Sequence, residues 1–524
     1  MSRQKKLALA KTWWNDYKFH LKFAVQTPED LNEMLDYSLD RETMDTLKQA
    51  QEVGIPFFVN PYYLSLLDTQ ASVVSLGADL AIRQYMIYSK ELVNEFGNIF
   101  AWEKEDIVEP GKPNAAGWII PDDCIHRRYP NVAILIPKSM GRACGGLCSI
   151  CQRMYSFQHG DLNFNLEKLQ AKVSLDHRLE ASITYFENDS QLRDILITGG
   201  DALMSTNKTL RKILQSVYQM AKRKRQANKN RKQGEKYAQI LRVRLGTRLP
   251  VYLPMRIKSG LVNILAEFKE KAAKIGIQQF VFQTHFESPM EITPETKFCV
   301  DQLNKAGWIV TNQLVFISAA SRRGHTAKLR KALNDIGILP YYSFTVKGYM
   351  ENKHLFTPNA RLVQESMEEK NIGFLPESFS HDLRQLPLNA ENIADRISQL
   401  RTDADIPFIA SDRNVLNLPG VGKSLTFRTI GITNDGRRIL EFDHDETREH
   451  SPIIEKMGKV TIMESKSIHE YLQQLDSMGE DVSEYSSIYG YSLSKTEPRN
   501  PIFEYPAYEY DVTNTITNLD HHLT

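Results

Sequence analysis

The chain has little cysteine, and most of it is confined to one place. Only five cysteines occur in 524 residues, and three of them, Cys144, Cys148 and Cys151, fall within eight residues. A small secreted protein held together by disulfides distributes its cysteines along the chain, so this clustering argues against a disulfide framework. Reduced thiolates that serve a metal fit the pattern better.

Long apolar runs and an excess of charge are also missing. No stretch reaches the roughly 18 apolar residues that suggest a membrane span, and no apolar region of the signal-peptide kind follows the basic N-terminus. Lys and Arg number 65 against 64 Asp and Glu, a formal charge of +1, so no global field attracts nucleic acid or an anionic membrane. We therefore expect a cytoplasmic protein that binds neither.

The composition, 42% hydrophobic and 25% charged, is that of a globular protein, and three regions can be distinguished. Spaced apolar residues from Trp13 to about Phe100 predict a helical N-terminal region, residues 1–125. A catalytic unit is expected over 126–415. The C-terminal segment, 416–524, contains Asn434-Asp435-Gly436, which predicts a β-hairpin, and a tyrosine-rich stretch at 505–510. We expect this segment to serve closure or self-association as a homo-oligomer.

Within the central region, strand-like apolar runs alternate with helix-like stretches. The runs are 132–136, 194–198, 240–244, 279–283, 308–310 and 340–344. Such alternation predicts an α/β fold with a parallel sheet, here a full or partial (β/α)6 TIM-like barrel. Catalytic groups of barrels lie at the carboxyl ends of strands. The first four strands are followed by the cysteine cluster, Gly199-Gly200-Asp201, Arg248 and Thr284-His285.

The three cysteines have the spacing CxxxCxxC, with glycines at 141, 145 and 146 that let the loop wrap closely around a compact ligand. Three sulfurs would leave one iron of a [4Fe-4S] cluster open to another ligand. A structural zinc would need a fourth ligand, and His159, eight residues after Cys151, lacks a recognised spacing.

A non-enzymatic alternative combines zinc in this loop with RNA on the basic run 222–232. That run lacks the interleaved aromatic residues that stack on bases, so a solvated helix end or loop insertion is the simpler interpretation.

These motifs resemble the radical S-adenosylmethionine superfamily and, more narrowly, the lysine 2,3-aminomutase family, over roughly residues 13–430. Ile150 departs from the superfamily, in which an aromatic residue or histidine commonly precedes the third cysteine. The matching segments, in the order of the family, are 14–18, 128–130, the cysteine cluster with Arg153, 198–203, 246–251, 253–257, 284–286, 312–313 and 419–423.

The resemblance implies a [4Fe-4S] cluster on Cys144, Cys148 and Cys151, S-adenosylmethionine, pyridoxal 5′-phosphate, and an electron donor such as a flavodoxin or ferredoxin. The other implied roles are as follows: Gly199, Gly200, Asp201, His285 and Gln313 contact the cofactors, Arg128 and Arg256 bind the phosphate, Tyr129 packs on the pyridine ring, Arg153 pairs with the substrate α-carboxylate, and Lys423 holds pyridoxal phosphate. The segment around Lys423 also ends like a nucleotide-binding loop, but Asn417 occupies a position where that loop requires glycine.

The resemblance also bears on the substrate. Lysine-specific members hold the terminal ammonium with two aspartates, and the corresponding positions here are Lys347 and Asn417. A lysine and an amide suit a side-chain carboxylate, as in members that act on glutamate, so conversion of L-glutamate to β-glutamate is expected. Lysine, or a residue on a protein, is the alternative substrate. No cysteine follows Cys299, so the additional zinc site of lysine-specific members is not expected.

Overall fold

The structure is a computed structural model. It describes residues 3–67, 79–100, 108–114, 116–138, 144–151, 153–162, 164, 174–346, 349–411, 414–418, 422–424, 426–443 and 458–492. Lys347 and the stretch 505–510 lie outside the described residues, and for Asn417 and Lys423 the backbone alone is described. The predicted α/β class is confirmed.

A nine-stranded sheet, whose strands follow one another in chain order, organises the described residues. Strands β2 to β8 run parallel, and the outer strands β1 and β9 are antiparallel to their neighbours. The bounds are β1 Ile125–Tyr129, β2 Val132–Leu135, β3 Asp194–Ile197, β4 Arg242–Gly246, β5 Gln279–Thr284, β6 Ile309–Phe316, β7 Ile338–Thr345, β8 Asn414–Leu418 and β9 Gly422–Ser424.

All six predicted strands are therefore present, as β2 to β7. The prediction placed the third strand two residues too early and ended the fifth at Val310, whereas β6 continues to Phe316. The cause is composition: Thr311, Asn312 and Gln313 interrupt the apolar run, yet they pair with β7 like the apolar residues before them. Strands β1, β8 and β9 were not predicted.

Helices predominate in the longer described segments of the N-terminal region, 3–67 and 79–100. Polar residues at the starts of several helices cap free backbone N–H groups, for example Thr27 and Asp40, which accept from Asp30 and Thr43. The helices are α1 Arg3–Trp13, α2 Tyr17–Lys22, α3 Pro28–Met34, α4 Arg41–Glu52, α5 Pro61–Leu64, α6 Leu80–Met86 and α7 Lys90–Glu95.

Further helices connect the parallel strands and cover the sheet. Apolar residues of neighbouring strands, such as Ile195, Val243 and Phe282, are fully buried beneath them. The helices are α8 Met154–Gln158, α9 Leu175–Asn188, α10 Asn207–Lys229, α11 Leu249–Tyr252, α12 Ser259–Lys274, α13 Pro294–Lys305, α14 His325–Asp335, α15 Asn359–Glu368, α16 Ser380–Gln385 and α17 Ile393–Asp403.

After β9 the described part of the chain forms a small antiparallel sheet and two α-helices. The elements are β10 Thr426–Ile432, β11 Arg438–Asp443, β12 Val460–Met463, α18 Ile468–Ser477 and α19 Ile488–Ser492. The predicted hairpin is confirmed, with Gly436 at φ +81° between β10 and β11.

The C-terminal segment packs on the helices that follow β6 and β7. Tyr471 Oη lies 2.7 Å from Ser321 Oγ, and Tyr485 Oη accepts from the backbone N–H of Arg323 at 2.8 Å. Glu464 accepts from both nitrogens of Asn359, each at 2.8 Å. Glu464 directly follows β12, so its two bonds tie the small sheet to the start of α15.

The basic run 222–232 occupies the last turns of α10 and the residues after it. Arg223 pairs with Glu187 of α9, and buried Lys224 donates to the carbonyls of Phe186 and Leu192. Two of its cations therefore serve the packing of α10 on α9. Among the described helices, none combines the length and the apolar character needed to cross a bilayer.

Candidate active site

The cysteine loop follows β2 and is held by the N-terminal helical region. Asn60 Nδ2 donates to the carbonyls of Gly145 at 3.2 Å and Tyr252 at 2.8 Å, linking the loop to α11. The backbone N–H groups of Leu147 and Ser149 donate to the carbonyls of Phe58 and Tyr85. The loop packs closely, because a Cβ added to Gly145 would lie 2.8 Å from Leu249 Cδ2.

The three thiols share an environment that suits a metal cluster. Burial raises the pKa of Cys144 well above its usual value, and the Asp201 carboxylate and the other two sulfurs raise it further. Burial and Cys148 raise the pKa of Cys151 to about 12. Thiolates are the ligand form, and three half-buried thiolates on one loop, whose charges disfavour one another, need a cation to compensate them. Iron would provide that compensation.

Arg248 connects this loop to the ends of β4 and β5. Its Nη1 donates to Cys148 Sγ at 3.2 Å, and its Nη2 donates to Glu291 Oε1 at 3.0 Å. The guanidinium also lies 3.7 Å from the ring centre of Tyr85. Arg248 is thus a buried cation beside one of the predicted cluster ligands.

The Gly199-Gly200-Asp201 turn lies at the carboxyl end of β3, as predicted. Gly199 has φ +94°, and a Cβ there would lie 2.4 Å from Ile136 Cγ2, so this position excludes any side chain. The Asp201 carboxylate accepts from Thr247 Oγ1 at 2.7 Å and from the backbone N–H of Arg248 at 2.6 Å. Its bonds hold the ends of β3 and β4 together.

Arg256 follows α11 in the chain, and its side chain contacts the N-terminus of α10. Arg128 is a buried residue of β1. Arg256 Nη2 donates to the carbonyl of Ser205 at 2.9 Å and to Asn207 Oδ1 at 2.8 Å. Burial lowers the Arg256 pKa. A helix N-terminus with an adjacent guanidinium favours a phosphate group. Arg128 is 7% exposed, and the half-buried Tyr129 follows it at the end of the strand.

His285 and Gln313 lie near the carboxyl end of β5 and within β6. The amide of Asn312 fixes the turn after β5, donating to the carbonyl of Phe286 and accepting from its N–H. Burial and the Arg248 charge lower the His285 pKa to about 4, so its imidazole is neutral at pH 7. Its Nδ1 is buried and has no hydrogen bond among the described residues. Gln313 is half-buried beside a bulge and pairs with Tyr342 of β7.

The remaining predicted residues occupy two places. Arg153 is half-buried at the start of α8, and its backbone N–H donates to Cys151 Sγ at 3.4 Å. The β8–β9 pairing places Asn417 opposite Lys423, and β8 runs alongside β7. The two residues predicted to face the substrate side chain and to hold pyridoxal phosphate are therefore cross-strand neighbours.

Comparison with known proteins identifies relatives of this chain. It is 29% identical to an uncharacterised KamA family protein of Methanocaldococcus jannaschii, over 91% of this chain and 66% of that protein. It is 27% identical to the L-lysine 2,3-aminomutase of Methanococcus maripaludis, over 63% of this chain and 64% of that enzyme. It is 28% identical to the glutamate 2,3-aminomutase of Clostridioides difficile, over 66% of this chain and 68% of that enzyme.

The resemblance to the lysine 2,3-aminomutase family is confirmed. The chain spans just under two thirds of the length of the first two relatives. No protein-family model matches it.

Several residues around the cysteine loop were not predicted as part of the site. Arg248 had been noted for its place after a strand and within the matching segment 246–251, but not as a site residue. The residues that surround it are Tyr63, Tyr85, Tyr252 and Glu291. Two of the tyrosines come from N-terminal helices remote from the sheet strands in sequence. In the sequence, Glu291 could be noticed only as a carboxylate that follows Thr284-His285 by a few residues. No spacing rule distinguished it from an acidic residue on the surface.

Proposed function

We propose that this chain is a radical S-adenosylmethionine, pyridoxal phosphate-dependent aminomutase that moves the α-amino group of an amino acid to the β-carbon. The observation that carries the proposal is the cysteine loop, joined through Arg248 and Asp201 to the carboxyl ends of β3, β4 and β5. The similarity to named 2,3-aminomutases supports the same reaction class. We take the chain-ordered parallel sheet as the partial barrel of such enzymes.

The residues present fit an iron–sulfur cluster with S-adenosylmethionine. Cys144, Cys148 and Cys151 are sulfur donors on one tight loop, and the glycine turn at 199–200 leaves no side chain beneath a ligand. His285 adds a buried nitrogen without a protein partner among the described residues. Cofactor and cluster would thus meet at one edge of the sheet.

Pyridoxal phosphate also fits the donors. Arg128 and Arg256 would hold its phosphate, with the N-terminus of α10 beside Arg256, Tyr129 would pack on its ring, and Lys423 would bind it on the β8–β9 hairpin. When bound, the cluster and S-adenosylmethionine supply an organic radical and pyridoxal phosphate supplies a π-system for the migrating nitrogen. Arg153 would orient the substrate by its α-carboxylate, since a guanidinium fork matches a carboxylate.

For the substrate we propose L-glutamate. The argument is charge: the positions expected to face the substrate side chain carry Lys347 and Asn417, which favour a carboxylate over an ammonium. L-lysine is the second candidate, because most of the named aminomutase relatives act on it. A low-potential flavodoxin or ferredoxin would supply the electron.

The test is anaerobic reconstitution with iron, sulfide and pyridoxal phosphate, followed by S-adenosylmethionine, dithionite and either L-glutamate or L-lysine. β-Glutamate, detected by mass-resolved chromatography, is the expected product. β-Lysine instead would keep the reaction class and refute the charge argument. A Cys148→Ser protein is the control, and it should form neither product. Iron-free wild-type protein after reconstitution would refute the proposal.

A further inference from the structure

We propose that Arg248 is a positioning residue that raises the reduction potential of the cluster through Cys148, and that Glu291 holds it there. The inference rests on the proposed function, because it concerns the cluster that Cys144, Cys148 and Cys151 would hold. Neither residue belongs to the set predicted to bind cofactors or substrate.

The geometry fixes the guanidinium in one orientation. Nη1 donates to Cys148 Sγ at 3.2 Å and to Tyr252 Oη at 2.6 Å. Nη2 donates to Glu291 Oε1 at 3.0 Å and lies 3.2 Å from Tyr63 Oη, while Nε donates to the carbonyl of His285 at 2.9 Å. A guanidinium has a rigid fork of donors, and here all three nitrogens are engaged. Arg248 therefore cannot turn away from Cys148 without breaking several bonds.

Glu291 is the direct counter-charge and is itself locked. It is fully buried, its Oε1 accepts from Tyr63 Oη at 2.6 Å, and its Oε2 accepts from the backbone N–H of Glu287 at 2.6 Å. The second nearby carboxyl, that of Glu287, has its pKa raised well above the usual value by burial. Arg248 and Glu291 form the ion pair beside the sulfur, with Nη2 and Oε1 3.0 Å apart.

A hydrogen bond to a ligand sulfur, and a positive charge beside it, stabilise the reduced cluster more than the oxidised one. Reduction adds one negative charge that is shared by the cluster and its thiolates, so donors aimed at a sulfur raise the potential. One electron passes from a low-potential donor, an iron–sulfur protein or flavoprotein, to the cluster. No bond forms or breaks at Arg248, and it keeps all its protons.

Strand β4, which ends two residues before Arg248, offers a matched control. Arg244 of β4 is also 8% exposed and also donates to a carboxylate, Asp194 Oδ1, at 2.8 Å. The hydrogen bonds of its side chain join β3 and β4, and no described bond connects it to a cysteine. An Arg244→Gln change therefore removes a buried guanidinium without altering the donors to Cys148.

The experiment is an EPR-monitored reduction titration of the reconstituted proteins. The double variant Arg248→Gln with Glu291→Gln removes the pair without leaving a buried charge unpaired, which would itself destabilise the fold. We expect its reduction equilibrium constant to fall at least about tenfold, a shift of about 59 mV to more negative potential. Arg244→Gln should have the wild-type potential. Circular dichroism and iron content establish that each variant is folded and loaded.

Glu291→Gln alone provides the opposite test. The glutamine oxygen can still accept from Arg248, so the guanidinium stays in place without its counter-charge and the potential should shift to less negative values. If neither glutamine variant folds, Arg248→Lys, which keeps the buried ion pair but loses the guanidinium fork that reaches Cys148, should shift the potential to more negative values. Potentials equal to that of the wild type in either variant, or folded variants that take up no iron, would overturn the inference while the proposed function stands. Wild-type protein that forms no cluster would refute the proposed function instead.

Discussion

Asn417 lies directly opposite Lys423 in the antiparallel pairing of β8 with β9. Opposite residues in such a pair are about 5 Å apart at their Cα atoms, so the predicted substrate residue and the predicted cofactor lysine are close neighbours. Strand β8 also lies beside β7, which ends two residues before Lys347. The last strands of the sheet therefore bring Asn417 and Lys423 together.

The first prediction reverses the charge of this pocket. Lys347→Asp combined with Asn417→Asp should change the preferred substrate from glutamate to lysine. Each new carboxylate repels the side-chain carboxylate of glutamate and attracts the side-chain ammonium of lysine. A charged hydrogen bond is worth about 2 kcal/mol, so each preference should change by roughly thirtyfold in kcat/KM. Asn414→Asp is the control, since that side chain contacts Leu362 and Lys370 instead. An unchanged ratio of β-glutamate to β-lysine would contradict the prediction.

The second prediction concerns the lysine itself. Borohydride reduction of the protein with bound pyridoxal phosphate should attach the cofactor to the peptide that contains Lys423, as read by mass spectrometry. Lys423→Ala should abolish the modification together with turnover. Lys459→Ala, at a lysine that pairs with Glu441 on the small sheet, should leave both intact. Modification at another lysine would show that Lys423 is not the residue that holds pyridoxal phosphate.

The third prediction separates backbone strain from steric exclusion. Gly199→Ala places a Cβ 2.4 Å from Ile136 Cγ2 at φ +94°, whereas Gly54→Ala, at φ +90°, meets nothing within 4 Å. Both variants are destabilised by placing alanine in the left-handed conformation. Only Gly199→Ala is further destabilised by overpacking, by about 1–3 kcal/mol. Urea unfolding should therefore show a greater loss of stability in Gly199→Ala. Equal losses would mean that Ile136 moves aside freely.

The fourth prediction is a pH dependence at the C-terminal segment. Burial raises the pKa of Glu464 from 4.5 to about 7. Between these values the folded protein retains a proton that the unfolded chain has released, so stability from this group is present below pH 4.5 and is lost as pH rises towards 7. The loss is at most about 3 kcal/mol. The unfolding free energy of the wild type minus that of Glu464→Gln should decline across this window, and a constant difference would contradict the assignment.

Much of the fold follows from local patterns. Strands β2 to β7 were predictable because a fully buried parallel strand is an apolar run between helices, as at Ile195 and Val243. Strand β1 was not, since its sequence, Ile-His-Arg-Arg-Tyr, is polar. Its Arg127 is nonetheless fully buried, because the side chain bonds to Asp189 and lies 4.3 Å from the ring centre of Trp118. Such compensation depends on contacts that periodicity does not encode.

The residues of the candidate site also fall into two groups, those that the sequence identified and those that only the structure reveals. The cysteines and glycines were recognisable because their chemistry requires a fixed local spacing. The network around Arg248 joins Tyr63, Tyr252 and Glu291 from three separate parts of the chain, so only the folded structure reveals it. Arg256 is an intermediate case, because the family pattern identified it and the structure adds its position at the start of α10.

The chain-ordered sheet has a consequence for biosynthesis. The described residues around the proposed iron–sulfur position, from Asn60 to Glu291, are synthesised before β6, whereas Lys423 is added only after β8. Strands added one after another at the growing edge can pair as they appear, since each neighbour already exists. The nascent chain would thus acquire its place for iron first and its place for pyridoxal phosphate last. Under the proposed function, the ligands of the cluster are therefore synthesised before the lysine that would hold pyridoxal phosphate.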